Sequence, residues 1–99
     1  MLSKIAITEQ TDAAVGNTIT LAAGQSIQAF IGPTKLKYNE QVYVEQSPDN
    51  GTTWFMVSDP QYRGDFLDRQ TTRNRLTGPG VFRLVKSKTT EAIAVYYDI

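Results

Sequence analysis

Gln41-Val42-Tyr43-Val44-Glu45-Gln46-Ser47-Pro48-Asp49-Asn50-Gly51-Thr52-Thr53-Trp54-Phe55-Met56-Val57 is the stretch whose reading decides the fold. From Gln41 to Gln46 apolar and polar side chains alternate, so a pleated strand sets Val42 and Val44 on one face and Tyr43 and Glu45 on the other. Pro48-Asp49-Asn50-Gly51 then carries turn chemistry, and Thr53 to Val57 returns as a β-branched and aromatic run. The segment predicts a hairpin with one wet side.

Outward from this hairpin the same grammar recurs, and no periodic run is long enough for an amphipathic helix of three turns. Ile5 and Ile7 alternate with polar neighbours, and Thr11 to Asn17 reads as a polar loop closed by Gly16-Asn17. Thr18-Ile19-Thr20-Leu21 and Ser26 to Ile31 flank the turn-like Ala22-Ala23-Gly24-Gln25, which predicts a second hairpin. Lys35 to Asn39 reads either as a connection between sheets or as a weak edge strand whose lysines discourage pairing. Val81 to Lys86 and Ala92 to Tyr97 are further strands, with a turn over Ser87 to Thr90. The last strand runs almost to Ile99, and its edge is expected to pair with another chain. The expectation is an all-β, antiparallel β-sandwich, Ig-like or jelly-roll-like, of about seven strands. Between them, residues 61–76 read as a long polar loop.

A chain of 99 residues has material for one core, because compact domains run to ~100–150 residues. With 40% apolar and 20% charged residues it lies well away from the composition of disorder. Ten acidic and ten basic residues cancel, which removes the electrostatic case for direct nucleic-acid or anionic-membrane binding. The absence of cysteine and histidine excludes disulfides, thiolate chemistry, Cys/His zinc sites and imidazole bases. The N-terminus lacks the apolar core of a signal peptide, and no stretch reaches the ~20 apolar residues of a membrane helix. The expected site of synthesis is therefore the cytoplasm.

Ser47, Asp49, Gly51, Thr53 and Trp54 match the Asp-box pattern S-x-D-x-G-x-T-W. The chemistry is that of a structural turn: side-chain oxygens bond the turn's own backbone, glycine supplies a positive φ, and Trp54 covers the apolar side. A calcium reading of Asp49 with Asn50 lacks the remaining ligands. Asp65 and Asp68, three apart, are the one carboxylate pair that suggests hydrolysis. They stand among Arg63, Arg69, Arg73 and Arg75, where ion pairing outweighs a split catalytic dyad. No catalytic residue, cofactor or metal is expected. The same arginines, diluted by aspartates, make a poor phosphate site. They fit either a solvated loop or an arm that orders on a neighbouring subunit, with Arg63, Asp65, Asp68, Arg69, Arg73 and Arg75 pairing and Phe66 or Leu67 filling a pocket. Trp54, Phe55, Phe30 and Phe82 read as core, whereas Tyr43, Tyr62, Tyr96 and Tyr97 offer a sugar-stacking platform, which leaves a carbohydrate-binding module as the alternative.

Val42 to Ser47 with the Asp-box turn and Trp54, followed by Gly78-Pro79-Gly80-Val81-Phe82-Arg83-Leu84 and an Ala/Val-rich last strand, resembles small virion proteins of tailed phages. In those proteins a tight S-x-D-G-x-x-W hairpin precedes a G-x-(Y/F)-R strand. The resemblance implies a non-enzymatic head decoration or cement subunit, or a neck or tail accessory protein. Its expected partners are the major capsid protein or neck and tail proteins, with a homo-oligomeric arrangement in the particle and the virion as location. The additional Asn50 and the polar insertion before Gly78 leave open which position in the virion it fills.

Overall fold

The computed structural model describes residues 3–57 and 66–98. Within them the chain is all-β, with strands β1 (Ser3–Gln10), β2 (Ala14–Val15), β3 (Ile19–Leu21), β4 (Ser26–Pro33), β5 (Val42–Ser47), β6 (Phe55–Met56), β7 (Arg73–Thr77), β8 (Gly80–Lys86) and β9 (Ile93–Asp98). One sheet runs β1-β9-β4-β7; the other runs β2-β8-β5-β6, with β3 also on β8. Every pairing between them is antiparallel.

The winding follows from a simple pairing rule. With β2 and β3 taken as one interrupted edge strand, β1 pairs β9, β2/β3 pairs β8, β4 pairs β7 and β5 pairs β6. This is one long hairpin whose apex is the turn between β5 and β6. Rolling it up adds the pairs β4–β9 and β5–β8 and makes two four-stranded layers. That order is a jelly-roll sandwich.

The alternation read in β5 is present: Val42 and Val44 are fully buried, and Tyr43 and Glu45 face outward. They meet Leu84 of β8, Ile27 and Ala29 of β4 and Ile93 and Val95 of β9 in a single core. Several expectations are corrected. Thr18–Leu21 and Ser26–Ile31 do not form a hairpin, since β3 pairs β8 while β4 pairs β7 and β9. Ile19 and Leu21 are buried in the same core as Ile27 and Ala29, and this apolar alternation serves a corner between sheets as well as it serves a hairpin. β9 is flanked by β1 and β4, so it is an interior strand and not a free edge. Ile5 and Ile7 do not share a face: a register shift between them leaves Ile5 exposed and buries Ala6 and Ile7. Lys35 to Asn39 connects the two sheets and buries Leu36.

The expected loop at 61–76 is shorter than its composition suggests. Residues 61–65 lie outside the described residues, but Arg73–Thr77 is strand β7 and Phe66 and Leu67 are core. Both Phe66 and Leu67 donate their backbone N–H to the Val42 carbonyl, and Val42 donates to Leu67 at 2.8 Å. This short bridge prolongs the sheet beside β5 where β6 is too short to do so.

Polar groups tie one end of the roll together. Lys86 faces inward and is fully buried; its Nζ donates to the Asp12 and Ser87 carbonyls at 2.7 and 3.1 Å. Burial pushes its pKa down, opposed by the Asp12 and Glu40 carboxylates. Burial works to raise the Glu40 pKa, yet N–H donors from Lys37 and Thr90 and the Thr90 hydroxyl together hold it below the usual carboxylate range.

At the opposite corner, the β7–β8 turn rests on the β3–β4 turn, where Gly78 donates to the Gln25 carbonyl at 2.9 Å. A Cβ on Gly78 would lie 2.5 Å from the Ala22 carbonyl oxygen and 2.7 Å from Leu21 Cβ. Gly78→Ala is therefore expected to destabilise the domain by about 1–3 kcal/mol, read from urea unfolding; an unchanged midpoint would show that the two corners are free to separate.

Candidate binding face

The Asp-box residues build the apex turn as their chemistry predicts. The buried Ser47 hydroxyl donates to Asp49 Oδ1 at 2.8 Å and accepts the Gly51 N–H at 2.7 Å. Asp49 Oδ1 accepts the Thr53 N–H at 2.7 Å, and Trp54 Nε1 donates to the Gly51 carbonyl at 3.2 Å. Asn50 and Gly51 take φ of 61° and 102°, the left-handed conformations that asparagine and glycine accept most readily. Hydrogen bonds from the Thr53 side chain and backbone, with a further one from Ser47, lower the Asp49 pKa to about 2.

Trp54 is not a core residue. Half-buried, it lies over the Arg83 guanidinium at 4.3 Å, and Arg83 Nε in turn meets Glu45 Oε1 at 2.6 Å. Phe55 is exposed and Phe30 half-buried; of the four aromatics expected in the core, Phe82 alone is there. Trp54 and Phe55 lie at the apex turn and on β6, at the margin of the second sheet, so their residue types do not lead to burial.

The residues expected to form an interface fall in separate places. Arg63 and Asp65 lie outside the described residues. Phe66 fills this chain's own core and is unavailable to a neighbour. Asp68 caps its own turn, its Oδ1 accepting the Gln70 and Thr71 N–H groups at 2.9 and 2.7 Å. Arg69 lies over Tyr38 at 5.2 Å. Arg73 and Arg75 belong to β7: Arg73 covers Phe30 at 5.7 Å, and Arg75 donates to Ser26 Oγ at 2.9 Å. The three tyrosines among the described residues form no shared platform either. Tyr43 is on the second sheet, Tyr97 is buried, Tyr62 is outside the described residues, and Tyr96 alone remains on the outer face of the first sheet.

Register assembles a different feature. Ile5 of β1 stands opposite Tyr96 of β9, Tyr96 opposite Phe30 of β4, and Phe30 opposite Arg73 of β7. These side chains form one row across the whole width of the first sheet. The Phe30 and Tyr96 rings stack with centroids 5.6 Å apart, and the Arg73 guanidinium takes the other side of Phe30. Ile5, at the far end, is 50% exposed. In the next row Arg75 stands opposite Gln28, and Gln28 opposite Asp98. Among the described residues neither Arg73 nor Arg75 has a carboxylate partner, whereas Arg83 on the other sheet does. The face thus carries one line of aromatic and aliphatic side chains, and at one margin two arginines that have no carboxylate partner among the described residues. Phe30 is thus contacted by Tyr96 from one neighbouring strand and by Arg73 from the other.

Compared with known proteins, the chain matches no family model, no curated protein and no solved structure.

Acid should act on the apex turn in a defined direction. The folded Asp49 pKa, about 2, lies below its ordinary 3.8, so its stabilising effect is full above that ordinary value and is lost as pH falls toward 2. Thermal melts between pH 4 and 2 should drop less steeply for Asp49→Asn than for the parent; equal slopes would remove Asp49 from the acid response. Trp54→Ala, losing packing on Arg83 and little core, is expected to cost about 1–2 kcal/mol, against about 2–5 for Leu84→Ala. Urea unfolding of the two variants checks this order.

Proposed function

We propose that this chain is a non-catalytic virion structural protein, a decoration or cement subunit that binds a phage shell in many copies through the outer face of the β1-β9-β4-β7 sheet. The observation that carries the reading is the Ile5–Tyr96–Phe30–Arg73 row with Arg75 beside it. Aromatic side chains and arginine dominate the energetic centres of protein interfaces, and a row held rigid by cross-strand stacking loses little entropy on docking. The two arginines, which have no carboxylate partner among the described residues, call for acidic groups on the shell beside an apolar patch. The sequence resemblance at residues 42–54 and 78–84 supports the virion setting. Repetition of modest contacts around a symmetric shell gives retention without any one strong contact. The same face would serve a neck or tail accessory protein, with tail or neck components as the acidic partner.

The test is cosedimentation of the purified protein with phage heads stripped of small subunits, and in parallel with tails. Saturable binding to heads, with gained resistance of the heads to heat, is the expected result. The double variant Arg73→Glu with Arg75→Glu should keep the parent's circular dichroism and bind at least about tenfold more weakly. Parent-like occupancy by that variant would remove this face from the contact, and binding to tails alone would replace the cement reading with the accessory one.

A further inference from the structure

A shallow cleft of about 200 Å³ lies between residues 37–41 and 68–70 and shares no residue with the docking face. Its walls are fixed from within. Glu40 spends both carboxylate oxygens on Lys37 and Thr90, and the Glu40 N–H returns to the Lys37 carbonyl at 3.0 Å. On the other wall Asp68 bonds the Gln70 and Thr71 N–H groups, and its own N–H reaches the Thr71 carbonyl. The side chains that remain are uncommitted: Asn39, Gln41 and Gln70 line the cleft and make no side-chain hydrogen bond among the described residues. Tyr38, at the rim, is 72% exposed, with the Arg69 guanidinium on one side of its ring. At that exposure the other ring face is open to solvent.

We propose that this cleft binds a single neutral saccharide ring. Each planar amide offers one donor edge and one acceptor edge, which suits adjacent sugar hydroxyls, and an open phenol face suits the C–H surface of a pyranose. Arg69 packs on one side of that phenol, so the ring is partly ordered before the ligand arrives, whereas the amide side chains are ordered by it. A neutral ligand fits because the lining charges cancel, Lys37 and Arg69 against Glu40 and Asp68. One ring fits because the volume falls below the ~300–1,000 Å³ of pockets that take larger ligands. The proposal does not rest on shell binding: a glycan site on a particle-bound subunit faces a cell surface, and a free module would use it equally.

The experiment is titration of ¹⁵N-labelled protein with methyl glucoside, methyl mannoside, methyl galactoside and methyl N-acetylglucosaminide, reading amide shifts. The expected result is saturable, millimolar binding of at least one glycoside, with shifts centred on residues 38–41 and 68–70. Tyr38→Ala should weaken it about tenfold or more. Asn39→Gly is the sharper variant: Asn39 sits at φ 68°, a conformation glycine accepts, so the fold is kept while the amide is deleted. It too should weaken binding, while Arg73→Glu leaves it unchanged. No saturable shift with any glycoside, or binding that survives both cleft variants, overturns the proposal.

Discussion

Two pairings hold the roll closed, β4 with β9 and β5 with β8, and everything else in the molecule hangs on them. Without them the chain is one long ribbon with an apolar side exposed along its length. With them, Val42 and Val44 find Leu84, and Ala29 and Ile27 find Ile93 and Val95. Both pairings join strands far apart in sequence, so their entropy of closure must be met before the core rewards it. The fold is consequently cooperative: no subset of strands has a buried face of its own. The Gly78 corner contact and the buried Lys86 and Glu40 ties act at the two ends of this closure, where a sandwich otherwise opens.

The parts of the fold legible in the sequence were those that depend on neighbours in the chain. Alternation in β5 gave its inward and outward faces, and the apex turn followed from Ser47, Asp49, Gly51 and Thr53, each of which acts within a few residues of itself. Partnering was not legible. β3 and β4 look like a hairpin because local alternation is the same whether a strand pairs with its neighbour or turns a corner to face it across the core. Phe66 and Leu67 read as side chains that could fill a neighbour's pocket because two residues are too few to show a period, and only their bridge to Val42 and their burial reveal them as core. Trp54 shows the converse: its residue type favours burial, but its place between the apex turn and the marginal strand β6 does not.

The row across the first sheet illustrates the same limit at the level of the candidate site. Ile5, Phe30, Arg73 and Tyr96 come from four strands scattered along the chain, and nothing in any one segment marks them as partners. Register alone brings them into line. The cleft at Tyr38 is likewise made by two loops whose polar composition reads as plain solvent-facing chain. In the row, register and stacking set the side chains before any partner is present, which lowers the entropy cost that docking there would carry.

The pairing of β1 with β9 places Ser3 opposite Asp98. The two limits of the described sandwich therefore leave from one spot on one sheet, side by side. For an engineer this makes the segment from Ser3 to Asp98 a cassette: it can be spliced into a surface loop of a host protein with short spacers. Whatever is joined before Ser3 or after Asp98 therefore departs from neighbouring points on the margin of one sheet.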